Sequence, residues 1–176
     1  FINTKNRSHT VTAEVQIPQG GAKGVILAQA GRFGGWSLYL KDGKPIYAYN
    51  FLGVKRFIIA ARQSVPAGKA TIRYEFAYDG GGIGKGGTGT LFVNGRKVAE
   101  GRIEHTQGIL FSVEEGTDVG QDGETPVVED YGIPSPYTFT GKIDSVTIDL
   151  KEMKQADKTE ENRRREEAAH RKVMSD

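Results

Sequence analysis

Residues 70–103 read ATIRYEFAYDGGGIGKGGTGTLFVNGRKVAEGRI, and the fold follows from this stretch. Ile72, Tyr74, Phe76 and Tyr78 point one way, while Thr71, Arg73, Glu75 and Ala77 point the other. A period of two with β-branched and aromatic residues on one face predicts a half-buried strand. Asp79 and the glycines after it end the pattern. A second strand is expected over 88–93, an Asn94-Gly95 turn after it, and a third strand over 97–103. Asn-Gly suits the positive φ angles of a type I′ hairpin turn. The result is an antiparallel meander, a piece of a sandwich or jelly roll.

The segment Gly82-Ile83-Gly84-Lys85-Gly86-Gly87 fits G-x-G-x-x-G. That fingerprint carries dinucleotide chemistry only when a helix follows it. A strand pattern follows here, so these glycines read as a hairpin connection that needs positive φ.

Outward from this stretch, the same period recurs. Val11, Ala13, Val15 and Ile17 alternate with Thr10, Thr12, Glu14 and Gln16. Residues 24–30 form a continuous apolar run, which predicts a strand covered on both faces. Trp36, Leu38 and Leu40 share one face of the next strand, and Asp42-Gly43 repeats the hairpin signal. Tyr47, Tyr49 and Phe51 share a face over 46–51, Gly53 turns the chain, and residues 54–61 read as a further strand. Leu110, Phe111 and Val113 suggest a short strand, 114–136 an acidic loop rich in Gly and Pro, and 139–150 a closing strand. In that last strand Val146, Ile148 and Leu150 face inward. The pattern predicts an all-β antiparallel sandwich of about ten strands over residues 1–150.

The chain has 176 residues, a formal net charge of +2 and no cysteine. Thiol catalysis, disulfides and thiolate metal sites are excluded. The small charge gives no electrostatic case for nucleic acid or an anionic membrane. No apolar run reaches the roughly 18 residues that a membrane helix needs. The chain opens on Phe1 without a basic and apolar leader, so it reads as a piece of a longer protein with no signal peptide in view.

From Lys151 the composition changes. Residues 151–176 hold eight basic and seven acidic residues and almost no large apolar ones. Glu160 with Arg164, Glu161 with Arg165 and Glu167 with Arg171 are i,i+4 pairs that favour a helix. Without an apolar stripe the helix is expected to be marginal, either a plain tail or an arm that packs on another domain or subunit. The interleaved glutamates argue against nucleic acid.

Three groups of residues are candidates for chemistry. His9, His105 and His170 have no Ser or Asp partner at a diagnostic spacing and read as structural or exposed. Asp118 and Asp122 lie in an acidic loop whose oxygens suit Ca²⁺, although the spacing is not an EF-hand and a turn-forming role is the alternative. Tyr39, Tyr47 and Tyr49, with Arg32 beside them, are the candidate platform for a sugar ring; Trp36 shares its face with Leu38 and Leu40 and reads as core. Asn6-Arg7-Ser8 fits the short glycosylation sequon. Glu14, Glu75, Glu100 and Glu104 lie on or beside strands, without a recognisable carboxylate pair for glycoside hydrolysis.

Read together, NRSHTVTAEVQIP from Asn6, GVILAQAGRFGGWSLYLKDGKPIYAYN from Gly24, RYEFAYDGGGIGKGGTGTLFVNGRKVAEGRI from Arg73, SVEEGTDVGQDGETPV from Ser112 and FTGKIDSVTIDL from Phe139 resemble the C-terminal region of bacterial arylsulfatases. The resemblance spans residues 6–150. It implies a concanavalin-like, laminin-G-like jelly roll that follows a catalytic domain, with that upstream sulfatase domain or a homo-oligomer as partner, and a periplasmic or extracellular location. It implies no catalytic site in this chain. The sulfatase motif C/S-x-P-x-R is approached only by Ser64-Val65-Pro66-Ala67-Gly68, where glycine replaces the charge-stabilising arginine. The expected function is a non-catalytic accessory domain; the alternative is a carbohydrate-binding module using aromatic residues and calcium.

Overall fold

The computed structural model describes residues 2–109, 111 and 116–173, with the backbone alone at 168, 172 and 173. Ten strands are present among these residues: β1 (His9–Ile17), β2 (Gly24–Gly31), β3 (Gly34–Lys41), β4 (Lys44–Phe51), β5 (Lys55–Ala60), β6 (Gly68–Tyr78), β7 (Gly87–Val93), β8 (Arg96–Ile103), β9 (Thr117–Val119) and β10 (Lys142–Leu150). One helix follows, α1 (Gln155–Val173). The strands form two five-stranded antiparallel sheets, ordered β10-β1-β6-β7-β8 and β5-β4-β3-β2-β9. The all-β jelly-roll sandwich expected from the sequence is the observed fold.

The period-two pattern explains the layers. Val11, Ala13, Val15, Ile72, Tyr74 and Leu91 from the first sheet meet Ile26, Trp36, Leu38, Leu40, Tyr47 and Ile59 from the second. Tyr74 of β6 stacks on Tyr47 of β4 with ring centroids 3.5 Å apart and 8° between planes, and Trp36 stacks behind Tyr47 at 5.8 Å. The Trp36 indole N–H donates to the Gln29 amide oxygen at 2.9 Å and to the Thr4 hydroxyl at 3.2 Å, so its polar edge is paired inside the core. Gly89 and Gly101 pair across β7 and β8. A β-carbon at Gly89 would sit 2.5 Å from Ile59 Cδ1 and from the Tyr74 hydroxyl, so the bare backbone makes room for two core side chains.

The hairpins follow their turn residues. Asn94 and Gly95 have φ of 49° and 79°, Asp42 and Gly43 of 51° and 74°, as type I′ turns require. The acidic region 114–136, expected to be loop throughout, contributes β9 to the edge of the second sheet beside β2. Residues 110 and 113 of the short strand expected there lie outside the described residues. In β10, Val146 and Ile148 pack on the core as expected, whereas Leu150 is 39% exposed.

The two outer faces differ. Val25, Ala28, Tyr39 and Ala48 on the outside of the second sheet are covered by Val127, Val128 and Tyr131 from the segment after β9. On the first sheet the outward residues form rows such as Thr147–Thr12–Arg73–Phe92 and Asp149–Thr10–Glu75–Thr90–Glu100, all partly or fully exposed.

Helix α1 is anchored by its first turns. Asp157 is 3% exposed and Glu161 6%. The Asp157 carboxylate accepts the Gly82 N–H at 2.7 Å, and the Asn6 amide donates to Glu161 at 3.4 Å. The G-x-G-x-x-G segment is thus a docking loop. The Gly84 and Lys85 N–H groups are also taken, by the Asn6 side-chain oxygen at 2.9 Å and the Tyr78 hydroxyl at 2.9 Å. Gly82 holds φ at 131°, a conformation that L side chains rarely adopt, which is why the loop needs glycine there. Farther along α1, Glu160–Arg164 (3.1 Å) and Glu161–Arg165 (2.5 Å) are two of the three expected i,i+4 pairs, while Glu167 lies 3.9 Å from Arg163.

Candidate functional site

The sequence-expected tyrosines do not form a surface platform. Tyr47 (1% exposed) and Tyr49 (5%) face the interior between the sheets. Tyr39 lies on the opposite side of its strand but is only 3% exposed, because Tyr131 packs edge-on against it at 4.7 Å. Burial, with Asp130 nearby, pushes the Tyr39 hydroxyl up to about 12. None of the three rings is open to a sugar; Arg32 alone of that group is exposed.

Of the two aspartates proposed for calcium, Asp122 is fully buried and its carboxylate accepts the Gly123 and Val127 N–H groups, each at 2.9 Å, and the Tyr131 hydroxyl. It acts as the staple of the covering segment, the turn-forming alternative for this loop. Asp118 lies on β9 opposite Ala28. No cluster of three or more His, Cys, Asp or Glu side chains with metal-ligand geometry occurs among the described residues.

The histidines are also dispersed. His9 is buried among Trp36, Tyr74 and Phe76, its Nδ1 3.3 Å from the Arg7 carbonyl oxygen, and burial pushes it down to about 4. His105 lies 6.1 Å from the Phe51 ring, and His170 is on the exposed part of α1.

One end of the second sheet does carry an exposed, built surface. The β2–β3 turn presents Arg32 and Phe33, and the β4–β5 turn presents Leu52, Gly53 and Val54. Asn50 ties the two turns together. Its amide donates to the Arg32 carbonyl at 2.9 Å and the Val127 carbonyl at 3.1 Å, and its oxygen accepts the Gly53 N–H at 2.9 Å. A β-carbon at Gly53 would sit 3.3 Å from the Arg32 carbonyl oxygen and 3.9 Å from Phe33, so the turns are in contact.

This rim is apolar at its tips. Phe33 is 58% exposed, Leu52 52% and Val54 84%. Leu52 also holds φ at 56°, a conformation that costs a branched residue about 1 kcal/mol or more. The turn closes with the Val54 N–H on the Phe51 carbonyl at 3.0 Å. Lys55 begins β5 next to the rim, bridged to Glu104 at 2.7 Å. Arg32 was named as the neighbour of the expected platform, while Phe33, Leu52 and Val54, in turns where no period operates, were missed.

No protein-family model matches the chain, and no curated protein matches it by sequence. Solved structures do share its fold. Mouse laminin α1 chain domains LG4-5 superpose with a TM-score of 0.60 at 14% identity, over 85% of this chain and 38% of that one. The Ruminococcus gnavus IT-sialidase CBM40 bound to α2,3-sialyllactose gives 0.57 at 12% identity, over 85% of this chain and 80% of that one. A heptameric SAP-like pentraxin from Limulus polyphemus gives 0.50 at 18% identity, over 84% and 67%. Likeness at these identities speaks for the fold alone, and it leaves the arylsulfatase resemblance without support. The chain has the concanavalin-like, laminin-G-like jelly-roll fold shared by these domains.

Proposed function

We propose that the sandwich is a non-catalytic recognition module that takes an oligosaccharide at the rim of the β2–β3 and β4–β5 turns. The observation that carries this reading is Phe33, an exposed aromatic ring beside the exposed guanidinium of Arg32. A sugar ring stacks on an aromatic face through its apolar C–H side, and a guanidinium fork pairs with a carboxylate or hydroxyls at its edge. Binding needs no bound group, and no nucleophile, base and orienting partner come together among the described residues. The CBM40 neighbour holds sialyllactose, which makes an acidic oligosaccharide the first ligand to test.

The test is isothermal titration of the full chain with sialyllactose and with lactose, with and without Ca²⁺. Saturable binding of sialyllactose that Phe33→Ala weakens about tenfold, with the fold unchanged by circular dichroism, is expected. Absence of binding to both sugars, or binding indifferent to Phe33, overturns the reading.

A second reading rests on Leu52 and Val54, whose aliphatic side chains suit a protein surface better than a sugar. In this reading the rim is where an accessory sandwich docks onto an adjoining catalytic domain, which the sequence resemblance would make a sulfatase. Leu52→Ser with Val54→Ser is expected to weaken that docking when the two domains are mixed, and unchanged docking overturns this second reading.

A further inference from the structure

At the end of β5 opposite the rim, the edges of the two sheets meet and leave an open groove. Ala60, Arg62 and Gln63 form one wall, and Arg96, Lys97, Val98, Ala99 and Glu100 of β8 the other, enclosing about 450 Å³. A second hollow of about 390 Å³ continues it past Ser64, Pro66 and Asn94, sharing Gln63, Arg96 and Val98 with the first. The two form one cleft along the seam.

The charge of this cleft is uneven. Lys97 is neutralised by Glu100 at 2.7 Å. Arg62 and Arg96 are exposed, and neither has an ion pair or hydrogen bond from its guanidinium among the described residues. Their situation differs from that of Arg56, Arg73 and Arg102, each paired with a carboxylate. Two unpaired guanidinium forks in one groove, with the Gln63 and Asn94 amides, the Ser64 hydroxyl and an aliphatic floor of Ala60, Val98 and Pro66, make a site for a flexible anionic ligand bearing hydroxyls. No aromatic ring lines the cleft, so it lacks the stacking surface that single-stranded nucleic acid uses.

We infer that this cleft binds an oligosaccharide carrying sulfate or carboxylate groups, Arg62 and Arg96 each taking one anionic group in a forked contact. It is a second site, separate from the rim. The inference rests on the reading of the sandwich as a glycan-recognition module and does not use the rim residues.

The probe is a sulfated glucosamine–uronate hexasaccharide, with its desulfated counterpart, which keeps the carboxylates, and a neutral glucose hexasaccharide beside it. Titration of the full chain is expected to show binding of an anionic probe and none of the neutral one. The sulfated and desulfated arms tell which anionic group is preferred. Arg62→Ala with Arg96→Ala is expected to weaken binding at least tenfold, the loss of a charged hydrogen-bonded contact. Arg62→Lys with Arg96→Lys, which keeps the charge without the fork, should fall between. Binding unaltered by the double alanine variant, equal binding of the neutral probe, or no binding of either anionic probe overturns the proposal. So does a single-stranded oligonucleotide that displaces the hexasaccharide at equal charge concentration. Failure here with sialyllactose still binding at Phe33 removes the cleft and leaves the rim standing. Loss of hexasaccharide binding in Phe33→Ala, with Arg62 and Arg96 indifferent, moves the anionic ligand to the rim.

Discussion

The two outer faces of the sandwich start from the same geometry and end differently. Along β1 the outward positions are Thr10, Thr12, Glu14 and Gln16, which water satisfies. Along β2 they include Val25 and Ala28, with Tyr39 and Ala48 beside them on β3 and β4, and these need a cover. The chain supplies one from a segment rich in Gly, Pro and acidic residues, which brings its own polar backbone to be buried. A single carboxylate, Asp122, resolves much of that cost by accepting two backbone N–H groups and the Tyr131 hydroxyl. Ion pairs from Asp130 to Lys41 (2.8 Å) and from Glu129 to Arg56 fasten the flank. The lesson is that the bare face is held by its strands alone, while the covered face depends on one buried group.

Removing that group is the strongest way to break the comparison. Asp122→Ala leaves two N–H donors and a buried tyrosine hydroxyl without an acceptor, at about 1–3 kcal/mol each, with partial relief as the segment loosens. A loss of about 3–5 kcal/mol by denaturant unfolding is expected, with Tyr39 becoming accessible to fluorescence quenching. Asp122→Asn, which retains an acceptor oxygen, should lose less. A loss below about 1 kcal/mol would mean that the cover holds through its apolar contacts.

A second test reaches the interior that the two sheets share. His9 lies between Trp36 and Phe76 and is held down at about 4 by burial. Its folded value is below that of the unfolded chain, near 6.5, so the unfolded state binds the proton more readily. The contribution is fully present above about pH 6.5, declines as pH falls, and is gone below about 4. The shift corresponds to about 3 kcal/mol. His9→Leu should flatten the stability curve between those limits relative to the parent chain. A parallel pair of curves would show that the ring finds a partner when charged.

The third test concerns another face that looks polar and is in fact covered. Asp157→Ala removes the acceptor of the Gly82 N–H and should free the first turns of α1, at a cost of about 1–2 kcal/mol. Amide exchange at Gly82 and over 155–161 should accelerate, while exchange in β1 and β6 stays slow. Uniform acceleration would mean that α1 is part of the sandwich's cooperative unit.

How much of this was legible follows the same division. Inward positions were legible because alternation is a local property, and Val11, Trp36, Leu38, Ile72 and Tyr74 are where the pattern puts them, whereas Tyr47 and Tyr49, expected on the surface, face the interior. The cover was not, because Val127, Val128 and Tyr131 sit in a segment with no period; the continuous apolar run of β2 was the one signal that something must lie over it. Tyr39 was misread as exposed for that reason. The seat of α1 was hidden because it is built from carboxylates meeting backbone amides, and an apolar stripe is the only docking signal that periodicity can detect. At the rim, Arg32 was named while its exposed neighbour Phe33 escaped notice because it lies in a turn.

The smallest expected effect belongs to the bare face, and it sharpens the contrast most. Arg73 stacks over the Phe92 ring at 4.3 Å and lies 3.3 Å from Glu75, with both side chains of the ion pair more than a third exposed. An exposed cation–π contact contributes about 0.5–1 kcal/mol and an exposed ion pair about as little. Arg73→Ala should therefore cost at most about 1 kcal/mol, and high salt should erase the part due to Glu75. If the loss approached that of Asp122→Ala, the face would be held by side chains across its strands. A loss near zero would show that the backbone ladder and the shared core suffice, leaving the sequence free to change wherever the sandwich meets water.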